Sequence, residues 1–596
     1  MLSSKHIAEE ATMQSFFNCY LKETNQYEWD EQTQMIRCPL QHVGGELIVK
    51  VKYFSLTGRH LFYFPVKYET DGRDKSLELD YVTLISFLCK ELSMSENHQG
   101  TQDELMLRVI QSCQQISRFL EARNNEFEDL YSLNPTFIET EQALLFGHLL
   151  HPTPKSRQGF SEEEVPKYSP EMKGQFSLHY FRAHRSIVEE DSAVEKSATD
   201  LIKSELLQDP EVENSFKQKY CQSDDYALIP IHPWQAQYLL QKPQVKDLIS
   251  KGKLQYLGSA GTAFYATSSL RTVYHSRASM MYKLSLNIKI TNSLRVNKRK
   301  ELERGVEVKR LLDTEVGKVW GKKFPDFSVI TDPAYITIRF EGEEESGFEV
   351  VLRDNPFQEG EEHNVMPIVA LGQDHPLGKN SLLGEIIHDL ANQEGRSTED
   401  VSLDWFRNYL NISLQPLVWL YMTYGIALEA HQQNSIVKLK NGYPEKVYYR
   451  DNQGYYFCQS MHETLERFLP DISKKSQTTC EDAIADERFR YYFFFNHLFG
   501  LMNAFGCSDL IEEHKLLAEL REQLEQLRPI NREPSELLDS LLDEKIVPSK
   551  GNLLTRFYDM DELVGSLATQ SVYVKTHNPL TAKEVYGVER YQLNDN

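Results

Sequence analysis

The 596-residue chain has no CxxC pair, no surplus of positive charge and no apolar run long enough to cross a bilayer. Each absence closes off a class of protein. The eight cysteines, Cys19, Cys38, Cys89, Cys113, Cys221, Cys458, Cys480 and Cys507, are scattered. That spacing suits neither a zinc cluster nor a disulfide framework, so reduced thiols in a cytosolic protein are the simplest reading. Lys plus Arg number 65 against 88 for Asp plus Glu, a formal net charge of −23. A surface this acidic repels phosphate backbones and excludes a general nucleic-acid binder. It leaves room for a local basic pocket and steers cationic small molecules toward the protein. The most membrane-like stretch, 412–427, contains Gln415, Pro416 and Gly425, then meets Glu429 and His431. It is too short and too interrupted to span, and reads as a buried helix with functional residues at its end. Residues 1–10 lack a basic start followed by an apolar run, so no secretory signal is expected. No GxSxG elbow, Walker A loop or Rossmann fingerprint is present.

What is present suggests roughly three or four domains. Hydrophobic residues make up 40% and charged residues 26%, ordinary values for a globular chain. Leu105, Val109, Ile110, Cys113, Ile116, Phe119 and Leu120 recur at helical spacing and predict an amphipathic helix over about 101–130. Runs at 227–232, 282–291, 334–340 and 348–352 are strand-like. Beyond 382 the pattern turns helical. The expected class is α+β, with boundaries near 140 and 385.

Five constellations can carry chemistry. The first, 267–272, clusters hydroxyls with a guanidinium in Ser268, Ser269, Arg271 and Thr272. It is either a phosphate-binding turn or a polar surface turn. In the second, a strand over 282–296 places Lys283, Ser285, Asn287 and Lys289 on one face, with Thr291, Asn292 and Arg295 further along. That face is solvent-exposed or lines an anion site. The third sets His148, His151, Lys155 and Arg157 around Pro152 and Pro154, which oppose a regular helix. An anion-binding loop and an exposed basic loop are both open; a metal site is disfavoured.

The fourth is the most informative. Glu429-Ala430-His431-Gln432-Gln433-Asn434 ends the apolar helix, and a hairpin over 435–451 turns at Asn441-Gly442. The hairpin can bring Glu429, Asn434 and Asp451 together, a hard-oxygen set suited to Mg²⁺. The alternative is a polar cluster capping a helix. A catalytic segment, a hairpin and then a metal-binding Asp resembles protein-kinase organisation, except that His431 and two glutamines stand where a kinase has its catalytic Asp. The fifth, 486–490, offers Arg488 as a carboxylate clamp or as part of a surface charge run.

Together these segments resemble the IucA/IucC family of siderophore synthetases, which work without nonribosomal templates. The resemblance rests on Gly147-His148, His151-Pro152-Thr153-Pro154-Lys155, Ile231-His232-Pro233-Trp234-Gln235, Ser268 to Thr272, the stretch from Lys283 to Arg295, the Glu429 to Asn434 segment and Arg450-Asp451. It covers almost the whole chain. Residues 15–21, 179–184 and 450–454 are most similar to the petrobactin-pathway branch, which joins citrate to spermidine.

The resemblance implies a cupped hand: a thumb over 1–140, fingers over 141–385 and a palm, similar to that of kinases, over 386–596. It implies a citrate-adenylating ligase that uses ATP and Mg²⁺, releases AMP and pyrophosphate, and works as a cytoplasmic homodimer on citrate and a polyamine. By motif position, His151, Ser269, Arg271, Thr272 and Lys283 contact the ATP phosphates, with Lys155 and Arg157 assisting. Glu429 and Asp451 ligate Mg²⁺. Arg295, His431 and Arg488 clamp citrate with Asn434 nearby, and His232 is structural. A small-molecule kinase and a noncatalytic citrate- or siderophore-binding protein are the alternatives.

Overall fold

The computed structural model describes residues 3–70, 76–96, 102–291, 293–560 and 571–582. The first helix, Ser4–Thr24, starts where the Ser3 hydroxyl accepts from the His6 amide and stops where Asn25 turns left-handed. Phe16, Phe17, Tyr20 and Leu21 are buried on it, in one core with an antiparallel five-stranded meander over 28–79. Leu553, Leu554 and Phe557, from the far end of the chain, complete that core. The predicted amphipathic helix is Gln102–Arg123, with Leu105, Val109, Ile116 and Phe119 buried. After Arg123 it tightens into a 3₁₀ segment, Asn124–Asp129; Thr101 lies outside the described residues.

The middle of the chain builds an eight-stranded antiparallel sheet. From one edge its strands run Val188–Ser192, Ala334–Ile338, Val350–Asp354, Met280–Leu284, Thr272–Tyr274, Leu254–Ala266, Gln175–His184 and Tyr226–Ile231. Pro230 sits in the outermost strand, where a missing N–H costs the ladder least. The single strand expected over 282–296 is not formed. It breaks at Ser285, whose amide donates to the Glu349 carbonyl (3.1 Å) and whose hydroxyl donates to the Glu349 carboxylate (3.0 Å). Lys283 thus belongs to the large sheet. Leu286–Ile290 and Ser293–Arg295 join Arg157–Gln158 in a separate three-stranded sheet. Lys289 faces Asp559 at 3.3 Å, away from Lys283's partners. Asn292 lies outside the described residues.

The C-terminal part is organised on the 27-residue helix Thr398–Tyr424, whose Trp405, Tyr409, Leu414, Val418 and Tyr421 are buried. Val308, Leu311, Val316, Trp320 and Phe327 share its core. The helix does not run to Glu429, as the sequence suggested. Gly425 adopts φ 66°, and the chain then enters the strand Ile426–Leu428. Glu429 therefore follows a strand, not a helix end. The mixed helix-and-sheet class expected from the sequence is the one observed.

His232 caps the helix Pro233–Gln241: its Nδ1 accepts from the Trp234 amide at 3.1 Å, with Pro233 at the first helical position. Burial pushes its imidazole down to about 3. A histidine that stays neutral when folded contributes full stability above its unfolded value of 6.5, lost progressively as pH falls toward 3. Asn at 232 keeps a capping oxygen and cannot titrate. His232→Asn is expected to shrink the loss of stability between pH 7.5 and pH 5.5 by about 1.4 kcal/mol, read from urea unfolding. An unchanged pH profile contradicts this assignment.

Candidate functional site

The loop 267–272 joins two adjacent strands of the large sheet and is tied from within. Thr267 Oγ1 donates to the Thr272 carbonyl (2.7 Å), and the Thr272 amide donates to Ser269 Oγ (3.1 Å). Leu270 takes φ 64°, a left-handed turn position unusual for a branched side chain. Arg271 is buried, donating to Asn297 Oδ1 (2.7 Å) and to the Arg295 carbonyl (3.2 Å). Burial pushes its guanidinium down to about 10, still protonated at neutral pH.

The facing wall is the segment after Ile426–Leu428. The hairpin pairs Ser435–Lys440 with Tyr443–Tyr449, and positive φ at Asn441 and Gly442 closes it as the sequence predicts. Ser435 pairs with Tyr449, so Asn434 and Asp451 meet. Asn434 Nδ2 donates to the Glu429 carbonyl (3.1 Å) and to Asp451 Oδ2 (3.3 Å). Tyr456 OH donates to the Glu429 carboxylate. Burial raises Glu429 above the usual carboxylate range, and the nearby Asp451 charge adds to this. Burial also pushes Asp451 upward, but Lys283 and Arg353 outweigh it and hold the group well below its ordinary value. Among the described residues no three His, Cys, Asp or Glu side chains converge on a metal position. Two carboxylates without a third suit a cation completed by phosphate and water oxygens.

Several contacts join these walls. The Arg450 guanidinium donates to Glu141 at 2.6 Å, both buried. The Ser268 amide donates to the other Glu141 oxygen at 2.8 Å, and Gln433 Nε2 donates to Ser268 Oγ at 3.0 Å. Lys283 Nζ then reaches Asp451 (3.3 Å) and Gln453 Oε1 (2.6 Å). Burial pulls the Lys283 ammonium down to about 8 against the Asp451 charge. Ser269, Arg271, Thr272, Lys283, Glu429, Asn434 and Asp451 thus belong to one neighbourhood.

The remaining sequence-predicted residues divide. His431 Nδ1 accepts from the Gln433 amide (3.2 Å), and burial keeps the ring neutral, at about 3, so its proton sits on Nε2. Its ring is 5.8 Å from Tyr492, which also faces the Arg488 charge. Arg488 is buried, donates to Tyr573 OH at 2.7 Å and feels the Glu429 charge. Arg295 stands on the loop side, donating to Thr291 Oγ1 at 3.2 Å. His151 Nδ1 accepts from the Thr153 amide (3.1 Å), with its ring 6.1 Å from that of His148. Lys155 and Arg157 are not an open basic loop. Both are buried on Glu171, Arg157 at 2.5 Å, and lie over the Phe119 ring.

Sequence reasoning missed several supports: Glu141, Asn297, Tyr456 and His497. His497 is buried in a π-helical stretch, Arg490–Leu498. Its Nδ1 donates to the Ala430 carbonyl (2.7 Å) and its Nε2 accepts from Tyr409 OH (2.6 Å), which fixes the backbone between Glu429 and His431. Only the aromatic run beside it signalled a buried, unusual helix.

Residues 136–373 match the IucA / IucC family, and residues 403–565 match the "Ferric iron reductase FhuF-like transporter" family. No described helix is long and apolar enough to cross a membrane. The chain is 50% identical to the spermidine-citrate ligase of Bacillus anthracis, covering 97% of this chain and 99% of that one. It is 35% identical to the rhizobactin siderophore biosynthesis protein RhbC of Rhizobium meliloti (strain 1021), covering 97% and 98%. Among solved structures, ATP-bound aerobactin synthetase IucA of Klebsiella pneumoniae matches with a TM-score of 0.87 at 28% identity, covering 97% of this chain and 100% of that one.

If the Glu141–Arg450 pair is the joint, breaking it on one side strands a buried carboxylate. Arg450→Met is expected to cost about 3–5 kcal/mol in urea unfolding, and adding Glu141→Gln to recover most of it. A single variant within about 1 kcal/mol of the parent contradicts this role.

Proposed function

The chain belongs to the IucA/IucC family, and from that premise we propose that it is an ATP-dependent, AMP-forming ligase that activates citrate as an acyl-adenylate and joins it to spermidine. The observation that carries the proposal is the Lys283–Asp451 contact. It sets a loop of hydroxyls and a buried guanidinium against a pair of carboxylates. One such pocket can hold a magnesium nucleotide beside a tricarboxylate. The full-length identity to a spermidine-citrate ligase supports citrate and spermidine as the substrates.

In this reading Ser269, Arg271, Thr272, Lys283 and His151 hold the ATP phosphates. Lys155 and Arg157, neutralised on Glu171, hold the loop that carries His151 in place rather than touch the phosphates. Glu429 and Asp451 fit Mg²⁺: two carboxylates bridged by Asn434, the first raised by burial and further by the other's charge, favour a divalent cation. When bound, Mg²⁺ offsets charge on the phosphate oxygens. His431 and Arg488 orient citrate from the hairpin side and Arg295 from the loop side, with Asn434 between. The His431 Nε2–H donates to a citrate carboxylate without adding positive charge.

A terminal citrate oxygen attacks the α-phosphorus and pyrophosphate leaves. A neutral amine nitrogen then attacks the acyl carbon; the C–N bond forms, AMP departs with the bonding pair, and the nitrogen loses a proton. Arg271 and Lys283 stabilise the charge that builds on the phosphates, and the fixed walls supply orientation. The net charge of −23 favours encounter with a polycation. We further read the chain as thumb, fingers and palm over 1–140, 141–385 and 386–596. The palm is kinase-like in its segment–hairpin–Asp order, and the protein is a cytoplasmic homodimer.

A matrix of carboxylic acids and amines, followed by nucleotide analysis, tests the assignment. AMP and pyrophosphate forming only with citrate and an amine, most rapidly with spermidine, is expected. ADP indicates a kinase, and no turnover indicates a binding protein. Arg271→Ala and Glu429→Ala are each expected to lower kcat/KM by about 2–4 kcal/mol. Near-parental turnover by either folded variant removes that residue from the machinery.

A further inference from the structure

Lys283 and Asp451 touch only loosely. The ammonium lies 3.3 Å from Asp451 Oδ1 but 2.6 Å from Gln453 Oε1. A lysine and a carboxylate drawn out of water close to about 2.7–2.9 Å when nothing intervenes. Here a neutral amide oxygen takes the ammonium instead. The chemistry fixes which way that amide points, because an ammonium only donates and must face the oxygen. Gln453 Nε2 is left buried with no hydrogen-bond partner. The unmade bond is a cost that packing alone does not explain.

The rest of Gln453 holds the same carboxylate. Its backbone N–H donates to Asp451 Oδ1 at 3.2 Å, while Asn434 donates to Oδ2 at 3.3 Å. Its carbonyl accepts from Arg304 Nη1 at 3.0 Å. Arg304 lies on the helix Arg299–Leu312, and its other nitrogens donate to the Ser476 and Gln477 carbonyls at 3.0 and 3.2 Å. A guanidinium fixed on three carbonyls anchors backbone, so residue 453 is not free to follow the lysine. Arg353, the second cation that pulls on Asp451, is committed to Asp332 by two bonds (2.6 and 3.0 Å). Lys283 is the cation whose approach Gln453 controls.

A closed pair would disable both partners. It fills carboxylate lone pairs that a divalent cation needs and cancels the charge that a phosphate oxygen needs. We infer that Gln453 is a positioning residue: by taking the Lys283 ammonium it keeps Lys283 and Asp451 from closing on each other, leaving the lysine for a phosphate oxygen and the carboxylate for a cation. The inference rests on the proposed magnesium-nucleotide site and adds a residue that acts there through its neighbours.

Calorimetric titration of the full chain with AMPPNP and Mg²⁺ tests it. Gln453→Met keeps the length of the side chain and removes the acceptor. It is expected to bind the analogue about tenfold more weakly, because the ligand must first open a closed pair. Gln453→Asn, whose amide is too short to reach Lys283, is expected to weaken binding in the same way and serves where methionine at 453 does not fold. In pyrophosphate release the loss falls on KM for ATP, with kcat at saturation within about twofold of the parent. The effect runs through Lys283, so in a Lys283→Met background Gln453→Met costs no further affinity. Parental affinity in both Gln453 variants overturns the inference. So does an equal loss in the Lys283→Met background, which marks a role independent of the lysine, or a loss confined to kcat. A parent that binds no magnesium nucleotide contradicts the proposed function itself and takes the inference with it.

Discussion

The site depends on one buried knot, in which a single carboxylate holds both walls. Glu141 receives the Arg450 guanidinium with one oxygen and the Ser268 amide with the other. Arg450 leads directly into Asp451, and Ser268 into Ser269, so fixing Glu141 fixes the Asp451 carboxylate against the Ser269 hydroxyl. A charge-assisted bond at 2.6 Å between groups removed from water is strong only because both partners are satisfied. Gln433 adds a further tie, to the Ser268 hydroxyl, so the His431 segment shares the registration.

Around that knot the charges are met by unequal partners. Lys283 lies against Asp451 and Gln453, Arg271 against neutral acceptors, and Glu429 against a tyrosine hydroxyl. Arg271 therefore keeps a full positive charge with no carboxylate bonded to it. Low-dielectric surroundings strengthen such a charge toward whatever anion enters. Elsewhere the balance is closed: Lys155 and Arg157 sit on Glu171, and Arg353 makes a two-pronged pair with Asp332. Among these described basic residues, Lys155, Arg157 and Arg353 are neutralised within the fold, while Arg271 has no carboxylate bonded to it.

Short-range chemistry was readable from the sequence. Asn441-Gly442 demands a tight turn wherever it lies, and that turn alone makes Asn434 and Asp451 neighbours. The hydroxyl and guanidinium cluster at 267–272 was visible as a local composition. Partners distant in sequence were not readable. Glu141 and Arg450 are 309 residues apart, and nothing near either names the other. Lys155 and Arg157 resembled an open anion loop because Glu171, which neutralises them, lies beyond an unremarkable turn. The strand over 282–296 alternated well enough to look continuous; its break at Ser285 comes from Glu349, a tertiary partner. The helix end moved back because Gly425 accepts a left-handed conformation that periodicity does not register. Tyr456 and His497 support the site from inside the core, where a polar residue looks like any other buried one.

The central claim is that one pocket holds a magnesium nucleotide between the 267–272 loop and the hairpin. A crystal structure of the full chain with Mg²⁺, a nonhydrolysable ATP analogue and citrate tests it most directly. The account predicts phosphate oxygens within hydrogen-bond distance of Ser269 and Arg271, with a metal about 2.1 Å from oxygens of Glu429 and Asp451. Phosphates bound away from that loop, or a metal held by neither carboxylate, contradict it.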